Sequence, residues 1–211
     1  MLPKPPSEDD LKQLGILPDE IETIHTEQVV WRVHRTIGAH SLPWNVPRAY
    51  GPLLRFDPHP LPRRSHPTLR VWYGAADIPG ALAEGFQSTR IIDRELENPY
   101  LTGFRFTRPL RLLDIGGFGA GRWPVRVGGT YALDTGPRSV TQQWARTMCT
   151  AHPDLDGLLY RGRHSGGRCL ALFAPASDAF PTAPLSTNPL AHPDLYNRLA
   201  LAAKTIGYTL D

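Results

Sequence analysis

Hydrophobic and polar positions alternate with a period of two over residues 69–73. Leu69, Val71 and Tyr73 face one way and Arg70 and Trp72 the other, which predicts a strand with two unlike faces ending at Gly74. Asp77 then stands at an N-cap position with Pro79 in the first turn, so the spacing predicts a short helix from Ile78 to about Phe86. On that helix Ile78, Ala81, Leu82 and Gly85 share a face. Glu84 lies about 120° from its centre at about 100° per residue. From this flank a carboxylate looks into a cleft instead of into the core.

The same alternation marks other strands. In Val29-Val30-Trp31-Arg32-Val33-His34, the residues Val29, Trp31 and Val33 share one side, and Arg32 and His34 leave from the other. Strands are also expected over Leu101 to Phe106 and Leu110 to Asp114. Leu158 to Tyr160 and Cys169 to Phe173, joined through residues 161–168, predict a hairpin. Helical spacing is read over Glu8 to Leu14 and Pro18 to Ile24, broken by Gly15 and Pro18, and the helix after Glu84 is expected to continue or restart through Arg90 to Leu96. Ser139 is the expected N-cap of a helix through Cys149, with Val140, Trp144 and Met148 as its buried stripe. Asp194 is the expected cap of a C-terminal helix with Leu195, Leu199 and Ala202 inward. Residues 1–8 are expected to be frayed, loops are expected up to Tyr50 and over 175–190, and a run of prolines excludes helix from about Pro58 to Pro67. No repeat or linker divides the chain, which reads as an N-terminal wrapping segment, 1–27, on a single domain, 28–211.

Composition narrows the class. The 211 residues hold 22 Pro and 19 Gly, which favours many turns and short elements, a loop-rich α+β domain, over a helical bundle. A net charge of +3 without a run of basic residues gives direct nucleic-acid binding little support. No apolar run approaches the roughly 18 residues of a membrane span, and the Pro-rich, acidic first ten residues do not form a signal peptide, so no membrane partner is expected and the cytoplasm is the expected compartment. Cys149 and Cys169 lack the spacing of a metal or redox motif and are expected as thiols of a reducing compartment.

Several familiar chemistries drop out. The histidines His34, His40, His59, His66, His152, His164 and His192 show no metal-ligand spacing and are expected in solvated polar roles, so no metal site is predicted. No Gly-x-Ser-x-Gly elbow occurs. The glycines of Ile115 to Pro124 match neither phosphate-loop pattern and are expected as a flexible surface loop. What remains is Arg32, Arg55, Tyr73 and Glu84. Arginines on strands hold a pyrophosphate through charge-assisted hydrogen bonds, a tyrosine face stacks on a flat nitrogenous ring, and a carboxylate stabilises cationic sugar character. Together these suit cleavage of a nicotinamide–ribose bond, whose barrier is an oxocarbenium-like ribose. By spacing alone the arginines also fit structural ion pairs and Glu84 an exposed helix charge.

The order of Trp31-Arg32-Val33, Leu54-Arg55-Phe56-Asp57, Trp72-Tyr73-Gly74-Ala75 with Glu84 eleven residues after Tyr73, Asp156-Gly157-Leu158-Leu159-Tyr160-Arg161 and Cys169-Leu170-Ala171-Leu172-Phe173 resembles the RES domain family, the toxins of bacterial RES–Xre toxin–antitoxin pairs. The resemblance spans roughly residues 28 to 174 and the terminal helix. It implies an ADP-ribosyltransferase-like α+β fold, two small β-sheets around an NAD cleft with flanking helices. It further implies depletion of NAD+ by hydrolysis or phosphorolysis, with NAD+ as substrate and no prosthetic group. Arg32 and Arg55 would grip the pyrophosphate or the nicotinamide ribose, Tyr73 would line the nicotinamide pocket, and Glu84 would be the catalytic carboxylate. The family usually places Ser two residues after the Tyr of its Tyr-x-Ser segment; here Gly162 stands there, with Ser165 as the candidate substitute hydroxyl. A protein-modifying mono-ADP-ribosyltransferase and a weakened domain that only binds partners stay open beside NAD+ depletion. The resemblance also implies an Xre-type helix-turn-helix antitoxin as partner, with a homodimer of the toxin inside such a complex as a further expectation.

Overall fold

Ser7 starts the first helix, α1 (Glu8–Leu14), by accepting the Asp10 amide while the Asp10 carboxylate accepts the Ser7 amide. The structure, a computed structural model, describes residues 2–211. Residues 2–8 are not frayed: Leu2 is buried and the Trp144 indole N–H donates to the Pro3 carbonyl at 2.8 Å. The helix expected over Pro18 to Ile24 is instead one 3-10 turn, Pro18–Glu20, followed by β1 (Ile21–Ile24). There follow β2 (Val30–Arg35), β3 (Tyr50–Gly51), β4 (Arg64–Ser65), β5 (Val71–Ala75), α2 (Ile78–Gly85) and β6 (Ile91–Ile92). Next come β7 (Pro99–Phe104), two residues earlier than expected, β8 (Leu110–Asp114), α3 (Trp123–Arg126) and α4 (Arg138–Ala151). The chain ends with β9 (Gly157–Arg161), β10 (Arg168–Phe173), β11 (Ser186–Pro189), α5 (Tyr196–Ile206) and β12 (Thr209–Leu210).

Eight strands run in the order β1-β8-β9-β10-β5-β2-β7-β11, and β3-β4 and β12-β6 form two small pairs. The long sheet is nearly divided. Strands β10 and β5 share five register pairs and β2 and β7 six, but β2 and β5 share one, Trp31 with Ala75. A five-stranded and a three-stranded sheet therefore meet at a corner, and beyond it the two inner strands part. Both faces of the larger sheet are covered. Leu113, Leu158 and Ala171 pack on the side of α2, α4 and α5, while Leu112, Leu159 and Leu170 join Trp72, Phe104, Phe106 and Phe180 on the other. The strands read as near-continuous apolar runs for that reason.

Five further expectations are corrected. Residues 90–96 form no helix: β6 pairs in parallel with β12, and Arg90, Glu97 and Asn98 take positive φ. The 175–190 stretch holds a 3-10 turn, Ala174–Ala179, and the edge strand β11, which pairs with β7. Pro137, not Ser139, caps α4, and Asp194 lies in a 3-10 turn, Pro193–Leu195, ahead of α5. The glycine-rich 115–124 segment is tied down: the Asp114 carboxylate accepts the amides of Gly116, Phe118 and Gly119, and Trp123 is wholly buried. The β9–β10 hairpin forms as expected, with five register pairs.

Candidate active site

Where β2 and β5 part, they leave a cleft of about 590 Å³. Arg32 and His34 line it from β2, Tyr73 from β5, Glu84 from α2, and Arg48 and Arg138 from flanking segments. Asp77 caps α2 through the Gly80 amide at 2.6 Å, which sets the helix phase and turns the Glu84 flank to the cleft. The cleft narrows to a neck lined by Arg55, Tyr73, Glu84, Tyr160, Asp134 and Arg163. Beyond the neck lies a second cavity, about 570 Å³, lined by Arg122, Arg161, Arg163, Asp134 and glycines of the 116–119 segment.

The arginines differ in how they are held. Arg32 lies with its guanidinium 5.1 Å from the centre of the Trp72 ring, and its buried Nη1 has no hydrogen-bond partner among the described residues. Burial, reinforced by the Arg48 charge, pushes its pKa down to about 10, so it remains a cation at neutral pH with unspent donors. Arg55 donates from Nη1 to the Gly136 carbonyl and faces Glu84 and Tyr160. His34 donates to or accepts from Thr102 Oγ1 through Nε2 at 2.9 Å; burial, with the Arg32 charge, pushes its pKa down to about 4, which leaves a neutral ring.

Asp57 organises the floor. Its buried carboxylate accepts Arg48 Nη2 on both oxygens at 2.8 Å, the Leu53 and Leu54 amides, and the Tyr73 hydroxyl at 2.9 Å. The Tyr73 oxygen in turn accepts the Phe56 amide at 3.0 Å. The hydroxyl of Tyr73 is thus committed to the 53–57 turn, and its ring is what the cleft receives. Burial opposes ionisation of Asp57, yet the His59 ring, Arg48 and the Leu53 amide hold its pKa down to about 2.

Glu84 is half-buried, and its Oε2 accepts the Tyr160 hydroxyl at 2.8 Å. Burial raises its pKa, while the Tyr160 hydrogen bond and the Arg55 charge pull the other way. The Glu84 carboxylate therefore sits at the constriction between two cationic cavities, positioned by a tyrosine and faced by a guanidinium, with Asp134 in the same wall. Such a group favours a positive charge developing on a bound ligand.

Arg32, Tyr73 and Glu84 line one cleft, and Arg55 meets Tyr73 and Glu84 in the neck. Gly162 lies apart from them, in the wall of the second cavity, and a Cβ there would come within 2.5 Å of Ser165 Oγ and 2.7 Å of Cys169 Sγ. Ser165 accepts the Gly167 amide at 3.2 Å within its own turn. Sequence reasoning missed Asp57 and Tyr160 as site residues, although both stand in quoted motifs, and missed Arg48, Asp134 and Arg138 altogether. The expectation of solvated histidines fails at His59, which is wholly buried 3.7 Å from Asp57, and at His34 in the cleft. Cys149 and Cys169 are unpaired with each other, and burial pushes both thiols up. Among the described residues no group of three or more His, Cys, Asp or Glu side chains could hold a metal ion, and no helix is long and apolar enough to cross a membrane.

Fold and site together define a mixed α+β domain whose two sheets meet over an arginine-lined cleft with the carboxylates of Glu84 and Asp134 at its neck. Residues 29–194 match the RES domain, and the chain belongs to that family. Among solved structures it is similar to one described as the crystal structure of the M. tuberculosis MbcT-MbcA toxin-antitoxin complex, with a TM-score of 0.60 at 18% identity over 92% of this chain and 96% of the other. No curated protein sequence matches.

Proposed function

We propose that this chain is the toxin of a toxin–antitoxin pair and depletes NAD+ by cleaving its nicotinamide–ribose bond. The observation that carries this reading is the seat of Glu84, half-buried at the neck of a dinucleotide-sized cleft that Arg32 and Tyr73 also line. Arg32, with a free buried donor, binds pyrophosphate oxygens, and the Tyr73 ring receives the nicotinamide. The ribose next to the nicotinamide then lies at Glu84. As the carbon–nitrogen bond breaks, its electron pair goes to the pyridinium nitrogen and neutral nicotinamide leaves. Positive charge passes to C1′ and the ring oxygen, beside the carboxylate. Burial raises the Glu84 pKa, and the Tyr160 hydrogen bond and the Arg55 charge oppose that rise by favouring the carboxylate. RES family membership and the likeness to a toxin–antitoxin complex support an antitoxin partner, for which an Xre-type protein acting in the cytoplasm is our reading.

Nicotinamide release from NAD+ by the purified protein tests this. Glu84→Gln keeps the shape, removes the charge and is expected to lower release by about 10²–10³-fold, the scale of one preorganised electrostatic contact; expressed alone in bacteria, the wild type arrests growth and the variant does not. Equal, negligible release by both proteins overturns the reading. Labelled NAD+ identifies the acceptor, since label on protein instead of free ADP-ribose marks a protein-modifying transferase.

A further inference from the structure

The carboxylate of Asp134 has no part in the account above. It ends the 3-10 turn Tyr131–Asp134, which Thr130 caps through the Ala132 amide. It is buried, and its Oδ1 has no hydrogen-bond partner among the described residues. An unsatisfied buried oxygen of this kind bears its desolvation penalty without a compensating hydrogen bond, and it calls for a use. Asp134 is in the wall of the neck together with Glu84 and in the wall of the second cavity, but not in the wall of the main cleft. The neck therefore has two mouths. A dinucleotide fills the one lined by Arg32 and Tyr73, and the other leads from solvent past Arg122 and Arg161 to Asp134. Asp134 is the single carboxylate among the residues lining that second route.

We propose that Asp134 is the general base of the reaction, taking a proton from a water molecule that enters through the second cavity as its oxygen bonds to C1′ of the ribosyl cation formed beside Glu84. The inference rests on the NAD+-cleavage reading. The carbon–nitrogen bond breaks with its electron pair on nicotinamide, the carbon–oxygen bond forms with a water lone pair, and one O–H bond breaks with its proton on Asp134, from which it passes to solvent. NAD+ and water thus give ADP-ribose, nicotinamide and a proton.

The electrostatics of the position agree with this role. Burial pushes the Asp134 pKa up to about 7; the Arg161 amide and the Arg161 and Arg55 guanidiniums oppose the rise, and Asp114 adds to it. Glu84, Tyr160, Arg138 and Arg163 face it across the neck, and Tyr131 and Arg122 from the cavity. A base with a pKa near the working pH combines a large ionised fraction with a strong pull on the proton. Its ionised, active form grows as pH rises through about 7.

Nicotinamide release is measured from pH 5 to 9 for the wild type and Asp134→Asn, with and without sodium azide, an anionic nucleophile that has no proton to lose. The wild type is expected to gain rate as pH rises through about 7. Asp134→Asn is expected to be about 10²–10³-fold slower, within the range general-base catalysis supplies, with KM for NAD+ unchanged and without that limb; any limb from Glu84 persists in both proteins, so the difference isolates Asp134. Azide should restore turnover in the variant and yield ADP-ribosyl azide. A variant as fast as the wild type with the same pH profile overturns this inference and leaves NAD+ cleavage standing. So does a slow variant that azide does not rescue, which assigns Asp134 a structural role. A wild type that releases no nicotinamide overturns both.

Discussion

Tyr73 and Asp57 show how a side chain placed by a motif serves a neighbour as much as a ligand. The Tyr73 hydroxyl bonds to Asp57, and Asp57 holds the turn that carries Arg55, so stability and site geometry share one buried carboxylate. Its pKa is depressed on folding, to about 2 from an ordinary value near 3.8. A depressed acid stabilises the fold above its unfolded pKa and loses that contribution as pH falls through the folded one. Roughly 2 kcal/mol should therefore disappear between about pH 4 and pH 2. Urea unfolding at pH 6 and pH 2.5 measures it, and Asp57→Asn should flatten this part of the pH dependence; an unchanged dependence rules the account out. Helical spacing puts Glu84 on a flank of the apolar stripe, where it also fits an exposed helix charge, and the RES resemblance singles it out; the structure seats it half-buried in the neck. The roles of Asp57 and Tyr160 were not legible, because their partners arrive from 16 and 76 residues away.

Elements with one dominant period were readable. The alternation over 69–73 and the cap at Asp77 gave β5 and α2 within a residue or two. Short segments misled. Ile21 and Ile24 stand three apart, a helical interval, but the segment pairs with β8 over four residues, and tertiary pairing overrides a weak local period. Ile91 and Ile92 likewise take their structure from β12, more than a hundred residues away. Gly74 illustrates an element constraint that spacing does not reveal. A Cβ there would meet the Trp72 ring and come within 3.0 Å of the Trp31 carbonyl, at the corner of the two sheets. Gly74→Ala is expected to destabilise the protein by about 1–3 kcal/mol, the usual range for overpacking, and to shift the Trp72 ring on which Arg32 rests. A lower urea midpoint with a weaker NAD+ KM is the expected result, and an unperturbed midpoint contradicts it.

At the scale of the molecule, the sheet order itself was out of reach of periodicity, because no local pattern tells which strands become neighbours. The α+β class followed from short elements and frequent turns. The division of eight strands into five and three, with Trp31 and Ala75 as the one shared pair, is what opens the cleft. Arg32 stands on the smaller sheet and Tyr73 on the larger. A dinucleotide touching both would bridge the halves like a rung. At one hundred times its Kd, a non-cleavable NAD+ analogue should add about 2.7 kcal/mol, a rise in melting temperature of about 5–10 °C for a domain of this size; no rise would mean that the analogue binds neither half.

That solitary backbone joint also makes the angle of the jaw compliant. With so little ladder to hold the two halves at a set opening, a wedge driven between them meets side-chain packing and almost no hydrogen-bonded backbone. On the NAD+-cleavage reading, a protein segment inserted there silences the chain by prising Arg32 away from Glu84 while leaving both residues intact.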